Sequence, residues 1–124
     1  MKSDQTATKR CILLLVPDLM FQSRIREQAQ VLGYDTALAE TENSIESALA
    51  SDPNLVVIDL HADGIDWRSA VMLANDSGVP VLAFGRHTEP QLLRSAREAG
   101  CKKVVPRSQL VEELPQLIAE CARA

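Results

Sequence analysis

The run Leu55-Val56-Val57-Ile58 closes on one carboxylate, Asp59, and a polar loop containing Gly64 follows before the next apolar periodicity begins. A short aliphatic run bounded by turn residues suits a strand buried on both faces, as in a parallel sheet. Parallel strands need long crossovers, usually helices. The rest of the chain must therefore alternate between strands and helices. Open α/β sheets keep their chemistry at the carboxyl ends of the strands. Asp59 is then either a working group or an acid that ends a strand and caps a loop.

The chain meets that demand. Residues 11–16 form a continuous apolar run stopped by Pro17, and Asp18 suits the N-cap of a helix over 19–32. Its apolar positions Phe21, Ile25, Ala29 and Leu32 follow helical spacing, and Gly33 supplies the residue that ends it. Residues 34–39 read as a more polar strand, suited to a sheet edge. Thr41 or Asn43 caps a short second helix, and Asn43 with Glu46 has capping-box spacing. Asp52-Pro53-Asn54 is a turn into the Leu55 strand. Asp66 caps a third helix that presents Trp67, Ala70, Val71 and Ala74. Residues 79–84 make a fourth strand, with Pro80 near its start. Thr88 and Gln91 have the spacing of another capping box, and Gly100 ends the fourth helix. Residues 103–105 form a fifth strand. Ser108 caps a turn, and Pro115 sets the start of the last helix shortly before itself. Five strand–helix units give a doubly wound α/β sheet with helices on both faces.

At 124 residues the chain is one domain, expected over 10–124 behind a loose, disordered tail at 1–9. A 46% apolar content supports a core, and 3% aromatics make it aliphatic. Few aromatics and a net charge of −4 argue against nucleic-acid partners. No apolar run reaches membrane length and the first residues lack a signal core, so the expected location is cytoplasmic, with no membrane partner. Cys11, Cys101 and Cys121 lie far apart without metal spacing, and read as small packed thiols.

Several segments, taken together, carry a resemblance: Leu32-Gly33-Tyr34, Asp52 through Asp59, Gly64-Ile65-Asp66, Val79-Pro80-Val81-Leu82, and Ala99-Gly100-Cys101-Lys102-Lys103. In this order and spacing, over about residues 10–122, the chain resembles the receiver domain of two-component response regulators. The resemblance implies a flavodoxin-like five-stranded sheet of order 2-1-3-4-5. It also implies a phosphoacceptor, and Asp59 stands in its place. The family's two Mg²⁺-holding acids fall on Val16 and Pro17, with Asp18 one residue beyond. Its switch hydroxyl falls on Gly85, its switch aromatic on Val104 and its lysine on Arg107, with Ser108 where proline is usual. Asp63 replaces the loop proline.

These departures bear on the chemistry. Transfer of phosphate to a carboxylate brings anion onto anion, so a metal and a cation must neutralise the charge. Mg²⁺ needs oxygen ligands, and the side chains of Val16 and Pro17 offer none. Asp18 and Asp59 are weak metal candidates, and the His61 carbonyl adds little. Arg107 keeps the positive charge, and arginine favours carboxylates. Arg107, aided by Arg86, is therefore expected to pair with Asp59.

The reading is a pseudo-receiver: no enzyme and no resident cofactor, but a phosphorylation-independent module that binds a protein partner. The resemblance points to the fourth helix, fifth strand and fifth helix as its surface, where Arg94, Arg97, Lys102 and Lys103 stand beside Glu112 and Glu113. A homodimer is left open. One alternative is a working receiver in which Asp59 takes phosphate from a histidine kinase, with Mg²⁺ held partly by Asp18. A second is a flavodoxin-like domain binding a small ligand at the same strand ends. Asp63 and Asp66 suit a solvated loop and an N-cap, and His61 and His87 suit exposed loop positions. Trp67 suits packing beside the site. No Gly-rich phosphate loop or nucleophile elbow is present.

Overall fold

The computed structural model describes residues 10–124, and the tail expected over 1–9 lies outside them. Five strands, β1 (Arg10–Leu15), β2 (Tyr34–Leu38), β3 (Leu55–Asp59), β4 (Val81–Gly85) and β5 (Lys103–Pro106), alternate with five helices. The helices are α1 (Leu19–Val31), α2 (Glu42–Leu49), α3 (Trp67–Asp76), α4 (Pro90–Glu98) and α5 (Arg107–Cys121). All pairings are parallel and the order is β2-β1-β3-β4-β5, the order expected.

Side-chain alternation sorts the core into two layers. Leu13, Leu15, Val56, Ile58, Val81 and Ala83 meet α2, α3 and α4 through Ile45, Val71, Ala74, Leu93 and Ala96. Ile12, Leu14, Leu55, Val57, Leu82 and Phe84 meet α1 and α5 through Ile25, Ala29, Leu114 and Ile118. Asp59 continues the 55–57 series, so its side chain leaves the sheet toward α1 and α5. Gly85 continues the 81–83 series and faces α4.

Asp18 caps α1 by accepting from the amides of Met20 and Phe21 at 2.9 and 3.1 Å. Gly33, at φ +88°, follows the helix end. The start of α4 and the capping-box pair of α2 differ from expectation, and β4 runs over Val81–Gly85 rather than 79–84. The capping box of α2 is Thr41 with Ser44, not Asn43 with Glu46, because the chain turns helical at residue 42. α4 starts at Pro90 behind Glu89, not at Thr88, since proline pre-sets the first helical position. α5 is two helical segments joined across a kink: the second starts shortly before Pro115, as expected, and a segment from Arg107 precedes it. Its backbone breaks at Glu113 (φ −120°, ψ 22°), which relieves the clash that Pro115 would cause inside a regular helix.

The amino-terminal edge of the sheet is tied to the chain end. Arg123 donates from Nε to the Pro53 carbonyl at 3.3 Å and from Nη1 to the Gly78 carbonyl at 3.1 Å, and it pairs with Asp52. Asn54 accepts from the Cys11 amide at 3.0 Å and donates to the Arg123 carbonyl at 3.1 Å. Among the described residues, no helix is long and apolar enough to cross a membrane.

Candidate functional site

Strand order brings the ends of β3, β4 and β5 side by side, with Asp59 opposite Phe84 and Gly85 opposite Pro106. Asp59 is 4% exposed. Its Oδ1 accepts from the His61 amide at 2.9 Å, and its Oδ2 lies 3.6 Å from Nη2 of Arg107. That separation is an ion pair longer than a hydrogen bond. Arg107 holds its place over aromatic rings. Its guanidinium sits 4.8 Å from the Phe21 centroid and 6.0 Å from that of Phe84. The two rings meet edge to face at 5.5 Å. The carboxylate, the guanidinium and the aromatic pair thus stack at the junction of α1, β4 and α5. Phe21 and Phe84 were not among the candidate site residues: at helical and strand spacing they read as core.

Arg86 does not join this pair. Its Nη1 binds Glu89 at 3.3 Å, and its amide donates to Nε2 of His61 at 3.1 Å. A ring nitrogen that accepts carries no proton. The imidazole proton is then on Nδ1, which faces the Glu89 carboxylate at 3.8 Å. His61 is half-buried, not exposed as expected, and links the β3–α3 loop to the β4–α4 loop. The missing side chain of Gly85 makes room for it: a Cβ there would stand 3.3 Å from Nε2 of His61 and 3.2 Å from Leu93. Val104 is buried in the α2–α4 layer.

The residues at the end of β1 do not fit a Mg²⁺ site. Val16 is buried and apolar, and its carbonyl accepts from the buried Gln22 amide at 2.7 Å. Asp18, the improvised candidate, accepts both α1 amides on Oδ1 and is exposed at the helix start. Asp63 is exposed and lines a small separate cavity with Val16, Pro17 and Glu40. Among the described residues, no group of three His, Cys, Asp or Glu side chains gathers to hold a metal.

Other candidates fall where packing or capping explains them. Asp66 caps α3, accepting from the Arg68 amide and the Ser69 hydroxyl, and that hydroxyl holds its carboxyl below the usual range. Trp67 packs against the α2–α4 layer, with the Arg68 guanidinium over its ring. His87 and Ser108 are exposed. On the α4–β5–α5 face, Arg94, Arg97 and Glu112 are exposed, whereas Lys103 pairs with Glu120 at 3.1 Å and Lys102 donates to the Cys121 carbonyl at 3.2 Å. Burial pushes the thiols of Cys11, Cys101 and Cys121 up, Cys101 to about 11, which suits packed cysteines rather than nucleophiles.

No family model matches this sequence, and no curated protein does. Solved structures match in fold. A response regulator from Thermotoga maritima is 10% identical at a TM-score of 0.74, over 90% of this chain and 96% of that one. An orphan response regulator of H. pylori is 16% identical at 0.74, over 90% and 94%. A Burkholderia pseudomallei response regulator, solved with a phosphorylated aspartic acid, calcium ion and citrate, is 15% identical at 0.73, over 90% and 66%. The chain has the receiver-domain fold of two-component response regulators.

Proposed function

We propose that this receiver-fold domain is a pseudo-receiver: a cytoplasmic signalling module that binds a protein partner without being phosphorylated and catalyses no reaction of its own. The observation that carries this reading is that Asp59 faces Arg107 while the end of β1 brings it no carboxylate. The Asp18 carboxylate caps α1, the Val16 carbonyl takes the Gln22 amide, and Asp59 itself faces Arg107. A divalent cation would find one carboxylate and a resident guanidinium in its way. Mg²⁺ sites in phosphoryl transfer rely on carboxylates plus waters. Gly85 and Val104 offer neither the hydroxyl nor the aromatic ring with which a receiver would report phosphate. The Arg107 guanidinium supplies a fixed positive charge, and the domain would rest in one state.

The interaction surface under this reading is the α4–β5–α5 face, where Arg94, Arg97 and Glu112 remain exposed. Fold neighbours include a protein with a phosphorylated aspartic acid, so the competing reading is a working receiver with Asp59 as acceptor. Trp67, the sole tryptophan, lies at the start of α3 behind the β3–α3 loop and can report on the site. Titrating Mg²⁺ and then beryllofluoride, a phosphoryl mimic, should leave its fluorescence and the amide spectrum unchanged. Saturable shifts that vanish in Asp59→Asn would replace this reading with the working receiver.

A further inference from the structure

Above the Asp59–Arg107 pair, α1, the β4–α4 loop and the start of α5 line an open cleft of about 390 Å³. Its floor is Phe21 and Val111, and its rim carries Arg86 and Arg107 with the hydroxyls of Thr88 and Ser108. No acidic side chain lines it. That volume falls in the range of small-molecule sites, which combine apolar walls with a few convergent polar groups.

Arg107 is under-used where it stands. A guanidinium offers five N–H donors in a planar fork matched to carboxylates. One nitrogen faces Asp59 at 3.6 Å, longer than a hydrogen bond, and the side chain is 40% exposed, which leaves donors of the fork available at the cleft. Arg86 spends Nη1 on Glu89 and keeps other donors. Inorganic phosphate would satisfy the arginines but leave Phe21 and Val111 uncovered. A neutral apolar molecule would cover those two and leave the guanidinium unmet.

We infer that this cleft binds a small organic anion, an apolar body bearing a carboxylate, with the body on Phe21 and Val111 and the carboxylate on Arg107 and Arg86. The bound carboxylate competes with Asp59 for Arg107, so occupancy loosens the pair that fixes the end of β3. The cleft and its arginines are the same under the working-receiver alternative, so this binding does not rest on the pseudo-receiver reading.

The test is an amide-resolved NMR titration at fixed ionic strength with phenylacetate, and with phenylacetamide as its neutral counterpart. Phenylacetate should give saturable shifts confined to residues around Phe21, Thr88 and Ser108. Affinity should fall at least about tenfold for phenylacetamide and for Arg107→Gln, the loss of a charge-assisted contact. Val111→Trp fills the cleft from a half-buried helix position and should abolish the shifts, which keeps the test decisive if Arg107→Gln does not fold. Equal affinity for the two probes, or no saturable shift from phenylacetate at about 10 mM, overturns the assignment.

Discussion

Asp59 sits 4% exposed at the end of a central strand, with the His61 amide on one oxygen and the Arg107 guanidinium near the other. Removing the guanidinium leaves a buried carboxylate served by one amide. A fully buried pair broken this way costs about 3–5 kcal/mol. The Arg107 side chain is 40% exposed, so water screens the pair and the expected loss for Arg107→Ala is about 1–2 kcal/mol. The urea midpoint of that variant checks this, and an unchanged midpoint would mean that the pair holds nothing. Part of this arrangement was legible in the sequence. Asp59 ends β3 and Arg107 follows β5, with β4 between them, and the parallel order brings both to the same end of the sheet. The aromatic platform was not legible, because Phe21 and Phe84 meet only once α1 folds back over β4. Gln22 reads as a surface polar residue on a helix, and only the packed α1 turns its amide onto Val16. The link from His61 to Arg86 needs the space left by Gly85, which a missing hydroxyl does not by itself suggest.

At the level of elements, capping decides where helices start, and the two ways of starting α2 make different predictions. Thr41 and Ser44 exchange backbone and side-chain hydrogen bonds, the Ser44 amide donating to Oγ1 of Thr41 at 3.2 Å and the Thr41 amide to Oγ of Ser44 at 3.0 Å. Thr41→Ala should cost about 1 kcal/mol in chemical denaturation. Asn43→Ala should cost close to nothing, since Asn43 lies inside the helix and is exposed. Helix starts at Asp18 and Asp66 were readable because one short acid stands directly before an apolar periodicity. The start of α2 stayed open between Thr41 and Asn43, and that of α4 was misplaced, because two polar residues competed for each cap. Pro90 settled the second by pre-setting the first helical residue. The kink at Glu113 has the same origin. Pro115 implies a helix start shortly before itself, and the second segment of α5 begins there, joined across the kink at Glu113 to a segment that runs from Arg107.

For the molecule as a whole, an aliphatic sheet between two helical layers carries stability, and its cysteines give that stability a pH limit. Cys101 is raised by burial from 9.0 to about 11, and burial raises Cys11 and Cys121 as well. A raised thiol favours the neutral form in the native state. Its contribution is fully present below the unfolded value near 9.0 and is lost as pH rises through about 11. Urea midpoints should therefore fall across that window, and Cys101→Ala should flatten the decline. The alternation of strands and helices made the topology legible, because parallel pairing leaves few ways to connect five strands. Function is written in a handful of side chains at one end of that sheet, and fold alone does not decide it. The central claim is that Asp59, with Arg107 beside it and no carboxylate from β1, does not take phosphate. The most direct measurement is the intact mass of the protein after incubation with acetyl phosphate and Mg²⁺, beside a phosphorylatable receiver as control. An unchanged mass while the control gains a phosphoryl group is the outcome expected. A phosphoryl adduct that disappears in Asp59→Asn would contradict the claim and make this a working receiver.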